Sequence, residues 1–212
     1  MYLPRLHREN ERAAQHALMR AHPLALLITN GPGGLIANPI PFLLYADEGE
    51  HGVLRAHVAR ANPQWREADG EREALVVFQG ADHYITPSFY ATKQETGAVV
   101  PTWNYVSAQA RGPMRAIEDA AWIHAQVDAL TNLHEARRPA PWAVSDAPEP
   151  FVDSQLRAIV GIEIPITRID GKWKVSQNKS VADRDGVIAG LREDDARDAH
   201  IMADLVEKAR RP

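Results

Sequence analysis

Cysteine is absent from this 212-residue chain, and so is any long apolar run. Without cysteine, disulfide bonds, thiol catalysis and thiolate metal sites are excluded. The longest apolar runs, such as residues 23–28 and 40–45, are far too short to span a bilayer. The first residues do not carry a cationic segment followed by an apolar one, so we predict no export signal and expect a cytoplasmic protein.

A strong excess of charge of one sign is also missing. The formal net charge is -4 and the pI is about 6.1, which argues against a broad electrostatic footprint for nucleic acid. Basic residues are grouped at Arg137 and Arg138 and near the end of the chain, but most arginines stand among Asp and Glu. Solvated helix faces are the simpler explanation of these groups.

Signatures of hydrolytic and metal chemistry are lacking as well. Nine histidines are present without an HExxH pair, and His51 and His57 have no evident third ligand. No serine stands in a nucleophile-elbow context. The glycine-rich turn at residues 30–34 lacks the Gly-Lys-Ser/Thr ending of a phosphate loop, and a β-hairpin explains its glycines.

What the chain does contain is a series of short strand patterns flanked by helices. The composition, 45% hydrophobic and 25% charged, is ordinary for a globular protein, and the length fits one domain over residues 1–212. The spacing predicts an antiparallel meander or barrel with peripheral helices. Tight turns are predicted at Gly80 and at Asp170-Gly171. Strands are predicted at 24–29, 35–45, 53–58, 74–79, 83–86, 99–111, 114–117, 160–169 and 172–176, and helices at 10–21, 119–136, 151–159, 181–191 and 193–211.

The segment VVPTWNYVSAQARG, residues 99–112, is the most informative strand. Alternation puts Trp103 and Tyr105 on one face, with Thr102 and Asn104 on the other. Pro101 suits the start or the edge of a strand. The aromatic residues are either core residues or a wall for a flat ligand.

Four motifs together resemble the PaiB-type family of FMN-binding negative transcriptional regulators. They are the aromatic strand, AHVARANPQW at 56–65, QGADHYITPSFY at 79–90 and KWKVSQNK at 172–179, and the resemblance runs from MYLP at the start to the last helix. It implies an α+β, mainly β fold: the antiparallel split barrel related to the pyridoxamine phosphate oxidases. It also implies FMN as the cofactor, bound at the interface of a homodimer.

The resemblance places the phosphate-binding turn of split barrels at Arg60 and Asn62. Arg offers a fork of donors, and Asn offers a short amide in a turn with free backbone N–H groups. His57 is a candidate donor to the phosphate or ribityl chain, or a base. Asn38 begins the segment 38–41, which stands where family members often have a His-Leu-Pro-like segment at a possible ligand wall. Solvated or turn-forming roles for Arg60 and Asn62, and a structural role for His57, remain open.

The second predicted cluster combines a cation with amides just past a strand. Lys174, Gln177 and Asn178 are expected to hold the flavin ring edge or to close the site from the partner chain, unless they simply end a polar loop. Trp103 and Asn104 are expected in the ring environment or at the dimer seam, and Tyr105 in the core.

The resemblance alone implies a transcriptional regulator. The acidic faces of the helix at 119–136 and of the C-terminal helix pair are not those of a DNA-reading helix. A flavin-dependent oxidoreductase is the alternative. A further alternative is a haem-binding protein with His57 or His83 as axial ligand.

Overall fold

A computed structural model describes residues 1–67 and 73–209. The strands are β1 (Arg8–Glu9), β2 (Leu24–Gly31), β3 (Gly34–Pro41), β4 (Leu43–Tyr45), β5 (Val53–Ala59), β6 (Glu73–Ile85), β7 (Thr102–Pro113), β8 (Arg115–Ile117), β9 (Ile159–Pro165) and β10 (Arg168–Lys174). The helices are α1 (Arg12–Ala21), α2 (Gln64–Glu67), α3 (Thr92–Glu95), α4 (Ala120–Glu135), α5 (Glu149–Arg157), α6 (Val181–Glu193) and α7 (Ala199–Lys208).

Sequence signals located the long elements well. Asp119 caps α4 by accepting from the Trp122 backbone N–H at 2.7 Å, and Ser180 caps α6 by accepting from that of Asp183 at 3.1 Å. Strand β7 begins directly after Pro101, as its missing N–H requires. The last predicted helix is shorter than expected and begins at Ala199; its predicted end at residues 210–211 lies outside the described residues.

Two predicted turns were wrong, because their glycines serve close packing instead. Gly80 lies inside one continuous strand, β6, where an added Cβ would come within 2.5 Å of Leu18 and Val106 side-chain atoms. Gly171 lies inside β10, where an added Cβ would come within 2.7 Å of the Glu9 backbone oxygen. Glycine within a strand often marks such a close approach.

The described chain separates into two compact units whose segments alternate in sequence. Unit 1 contains Met1–Leu18, Gln79–Ala108 and the chain from Asp170 onward, and unit 2 contains Met19–Phe78 and Gln109–Ile169. The expectation of one domain over the whole chain remains a prediction.

Unit 2 is built from antiparallel pairs. Strand β2 pairs on one side with β3 and on the other with the first half of β6. A four-stranded sheet has the order β4-β5-β9-β8, in which β5 and β9 are paired over their whole length. Helix α4 packs on β5 and β9. The buried side chains of this core are mainly aliphatic, among them Leu54, Val58, Val160, Ile162 and Ile164.

Unit 1 combines a sheet with the C-terminal helices. Its strands have the order β1-β10-β7-β6, with Glu9 opposite Gly171. Helices α6 and α7 pack on each other and bury Val187, Leu191, Met202 and Val206. Gly190 lets the Phe89 ring approach α6, since an added Cβ would lie 2.2 Å from that ring. Among the described residues, no helix is long and apolar enough to cross a membrane.

Candidate functional site

The hairpin of β2 and β3 carries Asn38 on its inner face. Directly opposed residues of an antiparallel pair share a face, and Asn38 stands opposite Leu27, which is 1% exposed. The Asn38 amide Nδ2 donates to Oε1 of Gln64 at 2.8 Å. The predicted wall residue therefore connects β3 to the start of α2.

Gln64 is the residue at which this part of unit 2 converges. Its side chain is buried, and its Nε2 lies 3.1 Å from the Leu27 backbone oxygen and 3.1 Å from Oγ1 of Thr29. Its backbone N–H donates to Oδ1 of Asn62 at 3.0 Å. Asn62 therefore shapes the turn before α2, and the amides of Asn38, Gln64 and Asn62 form one connected chain.

Arg60 follows β5 and is held by acceptors from three directions. Its Nε donates to the Arg157 backbone oxygen at 2.9 Å, and its Nη2 donates to that of Ile159 at 3.2 Å. Its Nη1 lies 2.5 Å from Oε2 of Glu118. Three of the five guanidinium N–H donors are thereby used, so two remain for another acceptor.

His57 lies on the face of the four-stranded sheet that α4 covers. It stands opposite Gly161 in the register of β5 and β9, and an added Cβ on Gly161 would meet the Trp122 ring at 2.3 Å. The His57 atom Nδ1 is buried without a hydrogen-bond partner among the described residues. Burial lowers the pKa of His57, so its ring is neutral at pH 7.

In unit 1 the alternation along β7 is as predicted. Trp103 is 54% exposed and Asn104 is 1% exposed. Tyr105 is half-buried on the Trp103 face and is not part of the closed core that we expected. Asn104 exchanges hydrogen bonds with Ser176, at 2.9 Å from Nδ2 to Oγ and 3.3 Å from Oγ to Oδ1. Asn104 thus anchors the turn that follows β10.

That turn has an unusual backbone. Ser176 has φ 62°, a left-handed conformation that a residue other than glycine adopts only at a cost in energy. Gln177 supports the turn: its Oε1 accepts from the Val175 backbone N–H at 2.8 Å, and its Nε2 donates to the Trp173 backbone oxygen at 2.6 Å. Nδ1 of His7 lies 3.1 Å from the same Oε1. Asn178, next in the turn, is exposed.

Lys174, at the end of β10, places a cation beside the start of β7. Its Nζ donates to Oγ1 of Thr102 at 2.6 Å and to the Trp103 backbone oxygen. Burial lowers the pKa of Lys174, and the positive charges of Lys172 and Lys179 lower it further. The like charges around Lys174 favour an anionic ligand over a cationic one.

Aromatic rings border these cations. The Trp103 and Tyr84 rings make an edge-to-face contact with centroids 5.8 Å apart, and both side chains are exposed. The Lys172 ammonium lies 5.2 Å from the Tyr105 ring centroid. The exposed Trp103 and Tyr84 rings, together with ammonium groups near the half-buried Tyr105 ring, suit a flat ligand with a negative charge.

Sequence reasoning missed several of these residues. Gln64 was contained in the quoted motif NPQW, yet its burial could not be foreseen. Ser176 and His7 were missed because their roles depend on contacts across many residues. His83, the second haem-ligand candidate, has Nδ1 at 2.7 Å from the Tyr84 backbone oxygen and Nε2 at 3.5 Å from Asp194, so both ring nitrogens face acceptors.

Solved structures with this fold include flavin proteins. A protein of Mycobacterium smegmatis described as FAD and heme binding has a TM-score of 0.58 and 21% identity, over 79% of this chain and 73% of its own. The flavocytochrome Anf3 of Azotobacter vinelandii has a TM-score of 0.55 and 16% identity, over 78% and 68%. The predicted fold class, an antiparallel split barrel with peripheral helices, is confirmed.

Sequence relatives cover almost the whole chain. An uncharacterized protein of Emericella nidulans is 38% identical over 90% of both chains. The Bacillus subtilis protein described as "Protease synthase and sporulation protein PAI 2" is 28% identical over 98% of this chain and 97% of its own. The family model described as "Putative FMN-binding domain" matches residues 1–168. The predicted resemblance to the PaiB type is confirmed, and the chain belongs to this FMN-binding family, with FMN as its cofactor.

Proposed function

We propose that this chain binds FMN between two copies of itself and acts as a negative transcriptional regulator of the PaiB type. In this proposal the phosphate lies at the turn of Arg60 and Asn62, near His57 and the Asn38 wall. The ring edge is closed by Lys174, Gln177 and Asn178 of the second copy, with Trp103 of that copy against the ring and its Asn104 holding the turn.

The observation that carries the FMN proposal is the environment of Lys174. An FMN ligand is an anion with a flat aromatic ring, and it needs cations, amides and apolar surface. Lys174 stands near two further lysines whose charges lower its pKa, its Nζ donates to the Trp103 backbone oxygen, and the Trp103 side chain is exposed. A bound anion would relieve this repulsion.

The residues of unit 2 also fit a phosphate group. Arg60 retains two N–H donors beyond those that hold Glu118 and the neighbouring backbone. The Asn62 side chain uses its oxygen toward Gln64, so its NH₂ group remains for an acceptor. The buried Nδ1 of His57 is a polar atom that still needs a partner.

The outer face of the β2–β3 hairpin supports the homodimer. Leu24, Leu26 and Leu35 are 66%, 38% and 79% exposed, and the register puts them on one face with Ala37 and Pro39. An apolar strand face of this kind is a favourable contact surface for a second copy. The dimer predicts that Leu26→Glu yields a monomer by light scattering while Leu133→Glu, an exposed control on α4, stays dimeric.

When bound, FMN supplies redox chemistry by accepting and donating hydride or electrons. The chain's own part is to bind and orient: Lys174 provides an N–H donor and a positive charge, Asn104 fixes the Ser176 turn, and Trp103 excludes water from one side. The neutral His57 ring donates or accepts a hydrogen bond without adding charge.

Flavin titration of matched variants tests the two clusters separately. Lys174→Met should weaken FMN binding tenfold or more, because a hydrogen bond to a charged group contributes about 1.5 to 3 kcal/mol. Lys93→Met removes an exposed lysine whose ammonium group donates to Ser88, and it should leave FMN affinity unchanged. Equal affinity for both variants would contradict the assignment of the ring edge.

Arg60→Ala should likewise weaken FMN binding by about 1.5 to 3 kcal/mol if Arg60 contacts the phosphate. The matched variant Glu118→Gln keeps the hydrogen bond to Arg60 but removes its countercharge, and it should leave binding unchanged or tighten it. If Arg60→Ala lowers only the free energy of unfolding, Arg60 is a structural clamp and the phosphate lies elsewhere.

Support for the regulatory role comes from family membership. Its test is a binding assay with promoter DNA of the source organism: the regulator reading predicts salt-sensitive binding with preference for one operator. Equal, weak binding to all DNA sequences would contradict it.

One observation weighs against DNA binding by the C-terminal helices, and we therefore retain a flavin-dependent oxidoreductase as the second candidate. In the C-terminal helix pair, Arg192 is neutralised by Asp204 at 3.3 Å and Glu207 at 2.9 Å, which leaves little positive charge there for DNA. This reading predicts that bound flavin is bleached by NAD(P)H and recovers its colour with an acceptor. A flavin that NAD(P)H does not reduce would count against it.

A further inference from the structure

A groove in unit 2 lies apart from the residues assigned to FMN. It has a volume of about 860 Å³, within the range of small-molecule sites. The end of α1, strand β4 and the second half of α4 form its walls. It contains none of the nine residues that we assign to flavin.

The interior of the groove is apolar and preformed. Phe42 and Leu43 are 2% and 9% exposed and form a fixed floor. Tyr45 lies under the Arg55 guanidinium, 4.3 Å from its ring centroid, which holds that wall in place. On the opposite wall Ala129 leaves space and Leu133 is 53% exposed.

The charged groups of the groove are basic. Arg20 and Arg137 line it together with the titratable side chains of His134 and Tyr45, and no Asp or Glu lines it within the described chain. The side chains of Arg20, His134 and Arg137 have no hydrogen bond or ion pair with another residue in 1–67 or 73–209. Helices α1 and α4 end here with about half a negative charge each, so the two guanidinium groups still leave the mouth positive.

We propose that this groove binds a small amphipathic carboxylate, with its apolar body over Phe42 and its carboxylate between Arg20 and Arg137. Charge complementarity selects an anion over a neutral or cationic ligand of the same shape, and arginine suits a carboxylate because of its forked donors. The chain as a whole has a net charge of -4, so an apolar groove whose charged lining residues are both arginines is a local feature that the overall composition does not explain.

Calorimetry with dodecanoate below its micelle concentration tests this site on the full chain, both FMN-free and FMN-saturated. We expect saturable binding in both states, and at least tenfold weaker binding of dodecanol and dodecyltrimethylammonium. Arg20→Gln and Arg137→Gln should each weaken dodecanoate binding about tenfold. Arg138→Gln, the neighbouring arginine outside the groove, should leave it unchanged.

Two further variants keep the proposal falsifiable if one fails to fold. Ala129→Trp fills the groove, and the exposed substitution Leu133→Glu repels a carboxylate; each should abolish dodecanoate binding while FMN affinity stays the same. Unchanged dodecanoate binding in both variants, or equal binding of the cationic probe, would overturn the proposal. Conversion of the protein to a monomer by dodecanoate would also overturn it, because the groove would then be a contact between copies.

Discussion

Replacing Gln64 with leucine tests whether the amide chain of unit 2 holds the predicted phosphate turn. Leucine has a similar volume, so the change removes polar atoms without leaving a large cavity. The Gln64 side chain is 1% exposed and bonds to Asn38, Thr29 and the Leu27 backbone oxygen. Each of these groups loses a partner in the variant.

The cost depends on which partners can turn to water. Thr29 is 4% exposed and cannot, whereas Asn38 is half-buried and can in part. A buried polar group without a partner costs about 1 to 3 kcal/mol, so Gln64→Leu should lower the free energy of unfolding by about 2 to 4 kcal/mol. For a chain of this size each kcal/mol corresponds to about 2 to 4 °C in Tm.

Urea unfolding followed by circular dichroism measures this loss, and a double-mutant cycle with Asn38→Ala isolates the pair. The coupling energy between the two residues should be about 0.5 to 3 kcal/mol. FMN affinity should fall as well, because the side-chain bonds that fix the start of α2 beside the Asn62 turn are lost, while the backbone N–H at position 64 still donates to Asn62. A loss below about 1 kcal/mol together with zero coupling would refute the reasoning.

Three further predictions concern unit 1. Burial raises the pKa of Asp183, but hydrogen bonds from Thr92 and Ser180 outweigh burial and leave that pKa lowered. The charged carboxylate therefore stabilises the fold at neutral pH, and this stabilisation is lost as pH falls below about 3.9. The free energy of unfolding of Asp183→Asn should be lower than that of the unsubstituted chain at pH 7, and the difference should shrink at pH 3. Ser176→Ala should cost about 1 to 3 kcal/mol by urea unfolding, since it leaves the buried Asn104 amide without its partner, and a neutral result would show that the amide has another partner. Gly190→Ala should cost about 1 to 3 kcal/mol by the same measurement because its Cβ meets the Phe89 ring, and an unchanged stability would mean that the ring moves aside freely.

Sequence patterns were sufficient for elements with local signals. The period of α4, its Asp119 cap and the hairpin of β2 and β3 are each determined by residues a few positions apart, although the turn lies at Pro32 and Gly33 and not at Asn30-Gly31. The turns predicted at Gly80 and Asp170-Gly171 were wrong because a glycine in the sequence can indicate either a turn or a close approach of another segment. The neighbour that requires the glycine is remote in sequence and cannot be identified from it.

For the candidate site, the sequence could assign side chains to faces of a strand but could not identify their hydrogen-bond partners. Trp103 and Asn104 were correctly placed on opposite faces, because strand alternation is local. The hydrogen-bond partners of Arg60 lie near residues 118 and 157–159, and the partner of Asn104 is Ser176. These partners are too far away along the chain for a local sequence pattern to identify them. Family resemblance supplied the cofactor, which the residues alone left open.

A titration of the purified chain with FMN, followed by the flavin absorbance spectrum, tests the central claim most directly. The account predicts saturation at one FMN per chain with micromolar or tighter affinity, a shifted flavin spectrum, and at least tenfold weaker binding in Lys174→Met than in Lys93→Met. A chain that leaves the spectrum of free FMN unchanged at tens of micromolar concentration would contradict it.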